Sequence, residues 1–331
     1  MNSLGRIFRI SIFGESHGPM VGIIIDGCPA GIQVREEDFA SDLEKRKGGI
    51  QKATTPRKEE DRPVFLSGIF NDHTTGAPLT IVFENNNTRP ADYEKSKAIP
   101  RPGHADFVAD KKFMGFQDHR GGGHFSGRLT VCLVAAGVVA KKILENIYIR
   151  STILEIGGES ADAGIEKAIA AKDSVGGIIE CRVSGCPVGW GEPFFDSVES
   201  VLAHAVFSIP AIKGIEFGAG FRAAKMFGSE HNDSIVDAKG TTATNHAGGV
   251  VGGISNGNEI VFRVVVKPTS STPKEQESWN KETGKVEAFS VKGRHDLAIV
   301  LRVPIVLEAV TAIVLADFFM IEKAKAELST D

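Results

Sequence analysis

The chain has 331 residues, 42% of them apolar, with 38 basic against 42 acidic side chains and a net charge of −4. That length supports a sizeable core, and the acidic excess argues against a general binder of nucleic acid or polyanionic membrane while leaving room for a local basic site. The four cysteines form no CxxC pair, so they read as buried or semi-buried residues of a reducing compartment, not as a disulfide framework or a structural metal site.

The N-terminal residues alternate apolar and polar over 5–13, which predicts a strand and not a signal peptide. GESHG (14–18) interrupts it. Val21–Asp26 follows as a second strand, giving a hairpin-like pair with His17 in the loop at its tip. Glu36–Arg46 predicts a short helix with Phe39 and Leu43 on one face. KRKGGIQKATTPRK (45–58) is a basic loop that stands out in an acidic chain. Strands are expected over Val64–Ile69 and Leu79–Phe83, then proline-bearing irregular segments, then a helix over Phe107–Phe116. GGGHFSGR (121–128) leads into an apolar helix over Leu129–Leu144. Its glycines would let backbone N–H groups approach a ligand, and a helix start favours an anion.

Beyond this turn, strands over 147–156 and 178–183 flank a small helix over Ile165–Lys172. Asp196–Ile209 predicts a helix capped by Asp196, with Glu199 at the reciprocal position. Gly214–Gly220 reads as a strand and Ser229–Gly249 as a polar loop. Glu259–Lys267 alternates with Ile260, Phe262, Val264 and Val266 on one face. KPTSSTP (267–273) is a proline-broken hydroxyl cluster. Val303–Leu328 predicts a long helix, with Pro304 tolerated in its first turn. The apolar stretch Leu297–Ile321 is interrupted by Arg302, Pro304, Glu308 and Asp317, so no membrane span is expected and the chain reads as soluble and cytoplasmic. Neighbouring strands without a βαβ cadence predict an α+β fold of antiparallel sheets packed with helices, as one domain over residues 1–331. GHFSGR and GRHD each open an apolar helix, a faint internal echo.

His17, His104, His124, His246 and His295 sit in short Gly- or Arg-bearing loops at element ends, where a rigid scaffold can hold a general acid or base. HExxH, GxSxG, GxGxxG and the P-loop are absent. Arg46, Lys52, Arg57, Arg101, Arg120, Arg128 and Arg294 bracket these loops. Arginines beside glycine backbone and hydroxyls suit a ligand with several phosphates or carboxylates.

GESHG with VGIIIDGCPAGI, RPGHAD, GGGHFSGRLT, NHAGGVVGGISNG, KPTSS and GRHD, in this order, resemble the chorismate synthases over nearly the whole chain. The resemblance implies a β-α-β sandwich assembled as a homotetramer. It implies an anti-1,4-elimination of phosphate from 5-enolpyruvylshikimate 3-phosphate, using reduced FMN without net redox change. It assigns His17 to protonate the departing phosphate, His104 to protonate or hold the reduced flavin, and Asp296 to assist proton removal. Arg46, Lys52, Arg101 and Arg294 match substrate contacts. His124, Phe125, Ser126, Asn232, Gly252, Lys267, Pro268, Thr269, Ser270, Ser271 and Arg294 match flavin contacts. A separate flavin reductase, or anaerobic reductants, is the implied electron source, since the chain has no recognisable insertion for a reductase activity. Three departures stand out. His124 and Phe125 replace the family's usual arginine and serine, Lys52 and Thr55 stand where arginine is usual, and Leu297 replaces a usual proline.

Overall fold

The computed structural model describes residues 2–48, 53–55, 59–87, 97–291 and 296–328. Alternation builds the first sheet. Its strands come from β1 (Ser3–Leu4), β2 (Arg9–Gly14), β3 (Met20–Asp26), β4 (Val64–Ser67), a small β5 (Ile69–Phe70) and β6 (His73–Thr74) ladder set apart, and β7 (Leu79–Glu84). The pairing order is β1–β2–β3–β7–β4, with every neighbour antiparallel. β2 and β3 make the expected hairpin, Ile12 opposite Ile23. Ile23, Ile25, Ile81 and Phe83 point inward and are fully buried, while Ile24 on the other face is exposed. The helix α1 (Ala40–Arg46) follows a single 3-10 turn and closes one end with Phe39 and Leu43.

The helix α2 (Asp106–Lys112) is shorter than the sequence suggests. Met114 at φ 55° and Gly115 at φ 79° turn the chain out of helical geometry before Phe116. α3 (Thr130–Ile143) follows the glycine turn. Then come β8 (Tyr148–Ile156), α4 (Ala161–Ala171), β9 (Gly177–Ser184), α5 (Val198–Val206) and β10 (Ile212–Phe217). Ser197 caps α5, its hydroxyl accepting from the Ser200 N–H at 3.0 Å. The expected cap, Asp196, lies outside the helix and pairs with Arg6. A small hairpin, β11 (Val250–Val251) and β12 (Ile254–Ser255), precedes β13 (Ile260–Val266). The second sheet runs β10–β13–β9–β8, again antiparallel. Ile260, Phe262, Val264 and Val266 are buried together on its inner face. A further hairpin, β14 (Gln276–Asn280) with β15 (Lys285–Phe289), was not expected from the sequence pattern.

Two helices fill the space between the sheets. α3 packs on the first sheet, α6 (Val303–Leu328) packs on the second, and the two pack on each other. Nearly every α3 side chain is buried, as a helix apolar all round requires. Gly137 marks the close approach, because a Cβ there would overlap the Cα and Cβ of Ala309. The layers therefore run sheet, helices, sheet, in agreement with the expected sandwich. Ile299–Ala326 is long and apolar enough to cross a membrane, but 72% of its apolar window is buried within the protein. The charges that interrupt it are paired. Glu308 accepts from the Ser151 N–H at 2.8 Å. Asp317 accepts from the N–H groups of Arg6, Ile7 and Phe8 at 2.8, 2.7 and 2.9 Å. All four cysteines are free and buried, and burial pushes the Cys132 and Cys181 thiols up to about 12.

Candidate active site

The glycine turn joins two loops that are distant in sequence. Gly121, Gly122 and Gly123 take φ of 60°, 80° and 52°, a left-handed run that side chains resist. The His17 ring occupies the space a Gly121 side chain would fill. The His104 ring atoms Cε1 and Nε2 lie 3.2 and 3.3 Å from where a Gly122 Cβ would stand. The Ser16 N–H donates to the Gly123 carbonyl at 3.1 Å. The glycines thus permit close approach of two imidazoles, where the sequence suggested an anion. His17 is buried, beside the Ser16 hydroxyl at 3.3 Å.

His104 is held from its own loop. Its Nδ1 lies 2.6 Å from Asp106 Oδ1. Arg101 donates to the same carboxylate from Nε at 2.7 Å, from Nη2 at 2.8 Å and from its backbone N–H at 3.1 Å. Its Nη1 donates to Ser271 Oγ at 3.1 Å. Burial opposes ionisation of Asp106, but the hydrogen bonds from Arg101 and His104 outweigh it and hold the carboxyl well below the usual range.

Charge is concentrated at the floor. Asp61, itself buried, receives Arg46 Nη2 at 2.9 Å and pairs with Arg128. Arg128 also donates to Asn85 Oδ1 at 2.9 Å and to the Glu84 carbonyl at 3.0 Å. Burial would raise the Asp61 carboxyl, yet the two guanidinium groups hold it low. Burial, with Arg302 and Arg128 nearby, lowers Arg46 to about 10 despite Asp61. Arg46 Nε is buried without a hydrogen-bond partner among the described residues. A buried cation with an unmet donor is suited to an anion.

Asp296 is fixed through both oxygens. One accepts from the Thr55 N–H at 2.9 Å and the other from Arg302 Nη1 at 2.9 Å. Arg302 Nε donates in turn to the Arg46 carbonyl at 2.8 Å. The Leu297 N–H donates to the Ala53 carbonyl at 2.9 Å, a bond that the usual proline lacks the hydrogen to make. This departure therefore ties Asp296 more firmly to the 53–55 segment.

A cavity of about 770 Å³ brings together Arg46, Arg101, His104, Asp296 and Lys267–Ser271, with Gly121 in its wall; His17 packs against Gly121 and does not itself line the cavity. His124, Phe125 and Ser126 also line it. His124, however, turns Nδ1 to the Gly14 carbonyl at 2.9 Å and Nε2 to Asn2 Oδ1 at 3.1 Å, and the Phe125 ring lies 6.3 Å from Phe113. Asn232 and Gly252 are exposed and do not line the cavity. Lys52, Arg57, Arg294 and His295 lie outside the described residues.

The implied flavin fits features of the wall. Thr269 Oγ1 is buried without a hydrogen-bond partner among the described residues. Burial and the neighbouring Lys213 lower Lys267, a pairing that a phosphate would relieve. Lys213, Asp61, Asp106 and Arg302 do not stand out as site residues in the sequence. Two had a signal: Asp106 stands inside RPGHAD, and Arg302 is a lone charge in LAIVLRVPIV. Asp61 lies in an ordinary acidic run.

A family model described as chorismate synthase matches residues 8–320. The chain is 70% identical over 325 residues to the chorismate synthase of Chitinophaga pinensis, covering 98% of each. It is 45% identical to that of Korarchaeum cryptofilum, covering 96% of each. Among solved structures, one titled "Crystal Structure of Chorismate Synthase" superposes with a TM-score of 0.73 at 26% identity, over 96% of this chain and 93% of the other.

Proposed function

The chain belongs to the chorismate synthase family, and from that premise we propose how its own residues divide the reaction. The activity is that of a phosphate-eliminating lyase, forming chorismate from 5-enolpyruvylshikimate 3-phosphate with reduced FMN and no net redox change. Reduced FMN, when bound, supplies the transient electron that loosens the bond to phosphate. His17 donates the proton to the departing phosphate, which leaves poorly as an unassisted dianion. His104, in the cavity lining, protonates or holds the reduced flavin, with Nδ1 engaged by Asp106 and Nε2 beside Gly122. Asp296 assists removal of the ring proton, held in one orientation by Thr55 and Arg302.

Arg46 and Arg101, with Lys52 and Arg294, bind the substrate's phosphate and carboxylates. Lys267, Pro268, Thr269, Ser270 and Ser271 hold the flavin against His124, Phe125, Ser126 and Arg294. Lys213 adds charge for the flavin phosphate. Asn232 and Gly252, away from the cavity of one copy, join this set when a neighbouring copy of a homotetramer supplies them. The enzyme works in the cytoplasm with a separate flavin reductase.

The observation that carries this reading is the seating of His17 and His104 on consecutive glycines above a floor of buried arginines. Anaerobic turnover with catalytic FMN should release many equivalents of phosphate and chorismate per flavin. Stoichiometric consumption of reduced flavin would instead indicate net electron transfer and overturn the reading. His17→Ala should keep FMN binding and lose turnover by roughly 10²–10⁴-fold. Wild-type turnover in that variant would remove His17 from the role.

A further inference from the structure

We infer that Asp106 is a positioning residue for His104, locked in place by Arg101 and, through Ser271, tied to the loop proposed to hold the flavin. The inference rests on the assignment of His104 above and adds how that histidine is prepared. An ionised carboxylate only accepts hydrogen bonds. Asp106 Oδ1 stands 2.6 Å from His104 Nδ1, so the proton of the neutral ring belongs on Nδ1. Arg101 Nη2 also lies 3.1 Å from Nδ1, but a nitrogen that donates to Asp106 has no lone pair left for it. Nε2 is then the nitrogen facing Gly122, where a Cβ would crowd the ring at 3.2 and 3.3 Å and the φ of 80° favours glycine. The ring is thereby oriented, and its tautomer chosen, before any ligand arrives.

Arg101 makes this hold stiff. Its guanidinium and its own N–H grip both Asp106 oxygens, and its side chain is 5% exposed. That geometry stops the carboxylate from swinging away from the ring. The remaining Arg101 nitrogen bonds Ser271. Lys267, four residues before Ser271, donates to the Gly103 carbonyl and to Ser270 at 3.3 and 2.9 Å. The flavin-side loop is therefore fastened to the segment that carries His104 at two points. Arg101, matched to a substrate contact by resemblance, has its Nε, Nη1 and Nη2 engaged within the protein and acts at least as much through His104.

The charged groups around His104 are few. Asp106 and Arg101 lie on its own segment, Lys267 reaches it from the loop after β13, and His17 stands across the glycine turn. Of these, only Asp106 carries a negative charge.

The test begins with wild-type protein labelled with ¹⁵N-histidine, the His104 signals being assigned by their loss in His104→Ala. The expected neutral form carries its proton on Nδ1, and a proton on Nε2 would overturn the proposal without any other variant. In Asp106→Asn, Arg101 should hold the amide oxygen, so that the NH₂ group donates to Nδ1 and drives the proton to Nε2. Turnover should then fall by about 10²-fold or more, with KM and FMN affinity within about threefold of wild type. Asp106→Glu should recover part of the rate by restoring the carboxylate. A folded Asp106→Asn protein with wild-type turnover and the neutral His104 proton still on Nδ1 would overturn the proposal. Together with an inactive His104→Ala, that result defeats Asp106 alone. A fully active His104→Ala would defeat the underlying role of His104 as well.

Discussion

The two central helices begin in the same way and serve different ends. Each is preceded by an arginine held by a carboxylate: Arg128 by Asp61 before α3, and Arg302 by Asp296 before α6. Arg46 touches both helix starts, donating from Nη2 to Asp61 and accepting at its carbonyl from Arg302 Nε. At the start of α3 the side chains border the cavity but are deeply buried, with Arg128 3% and Asp61 0% exposed. At the start of α6 they are more open, with Arg302 20% and Asp296 12% exposed. A fully buried carboxylate clamped between two guanidinium groups sets structure, since both of its oxygens are taken by buried charges. A carboxylate pinned at both oxygens yet reachable from the cavity is placed for chemistry. One local device, an arginine before a helix held by a carboxylate, is thus used twice, once for support and once for reaction.

The sharpest way to break this comparison is to remove both carboxylates in turn. Asp61→Ala leaves Arg46 and Arg128 buried and uncompensated, which should cost about 3–5 kcal/mol of stability. Asp61 also sits at φ 53°, a conformation alanine tolerates less well than aspartate. Urea melts should show the loss. Asp296→Asn keeps the acceptor for Thr55, and its partner Arg302 is partly solvated, so its midpoint should hardly move. Its turnover should fall by about 10²-fold, or about 2.7 kcal/mol in the barrier. If the two variants exchanged these outcomes, the division between support and reaction would be wrong.

The sequence exposed the parts of this design that are periodic. The inner face of β13 and the bounds of α6 follow from spacing alone, because burial imposes a period of two or 3.6 on the apolar residues. The β14–β15 hairpin did not show. Trp279 and Val286, 49% and 61% exposed, pair across a surface ladder with little to bury. The histidine loops could be found individually, each by its glycine or arginine neighbours. What could not be found was the pairing of Arg46 with Asp61, or of Asp296 with Thr55 and Arg302. Such contacts join irregular polar segments and leave no periodic trace. The cap of α5 was missed by one residue for a related reason: Asp196 and Ser197 are both good caps, and Arg6, far away in sequence, draws Asp196 off.

A smaller effect tests what the two helices share. Gly137 lies mid-helix in α3 where α6 presses closest, away from the paired charges at either helix start. Gly137→Ala gains up to about 1 kcal/mol in helix propensity but overpacks against Ala309, so a net loss of roughly 1–2 kcal/mol is expected. The folded protein should keep its KM and most of its kcat. A large fall in kcat with no loss of stability would mean that helix spacing, and not only the charged helix starts, sets the site geometry.

Acid stability should give the smallest signal and separates the buried start of α3 from the rim of the site. Asp61 and Asp106 are both held below the usual carboxylate range: burial works against their charge, and arginine partners at each, with His104 at Asp106, outweigh it. In the unfolded chain such a carboxyl titrates near about 3.9. The folded state binds that proton less readily, so the stability these groups contribute is complete above about pH 4 and drains as pH falls through their lower folded values. Raising the pH from neutrality adds nothing from this source. Asp106→Asn removes one of the two contributions and leaves Asp61 intact. Its stability should lie below wild type at pH 6, decline less steeply below about pH 4, and approach the wild-type curve at the acid end. The slope that remains then belongs to Asp61 together with other carboxylates held low, Asp38, Asp110, Asp118 and Asp233 among them. Parallel curves would mean that Asp106 is not held ionised by Arg101 and His104, and that the rim lacks the electrostatic rigidity of the floor.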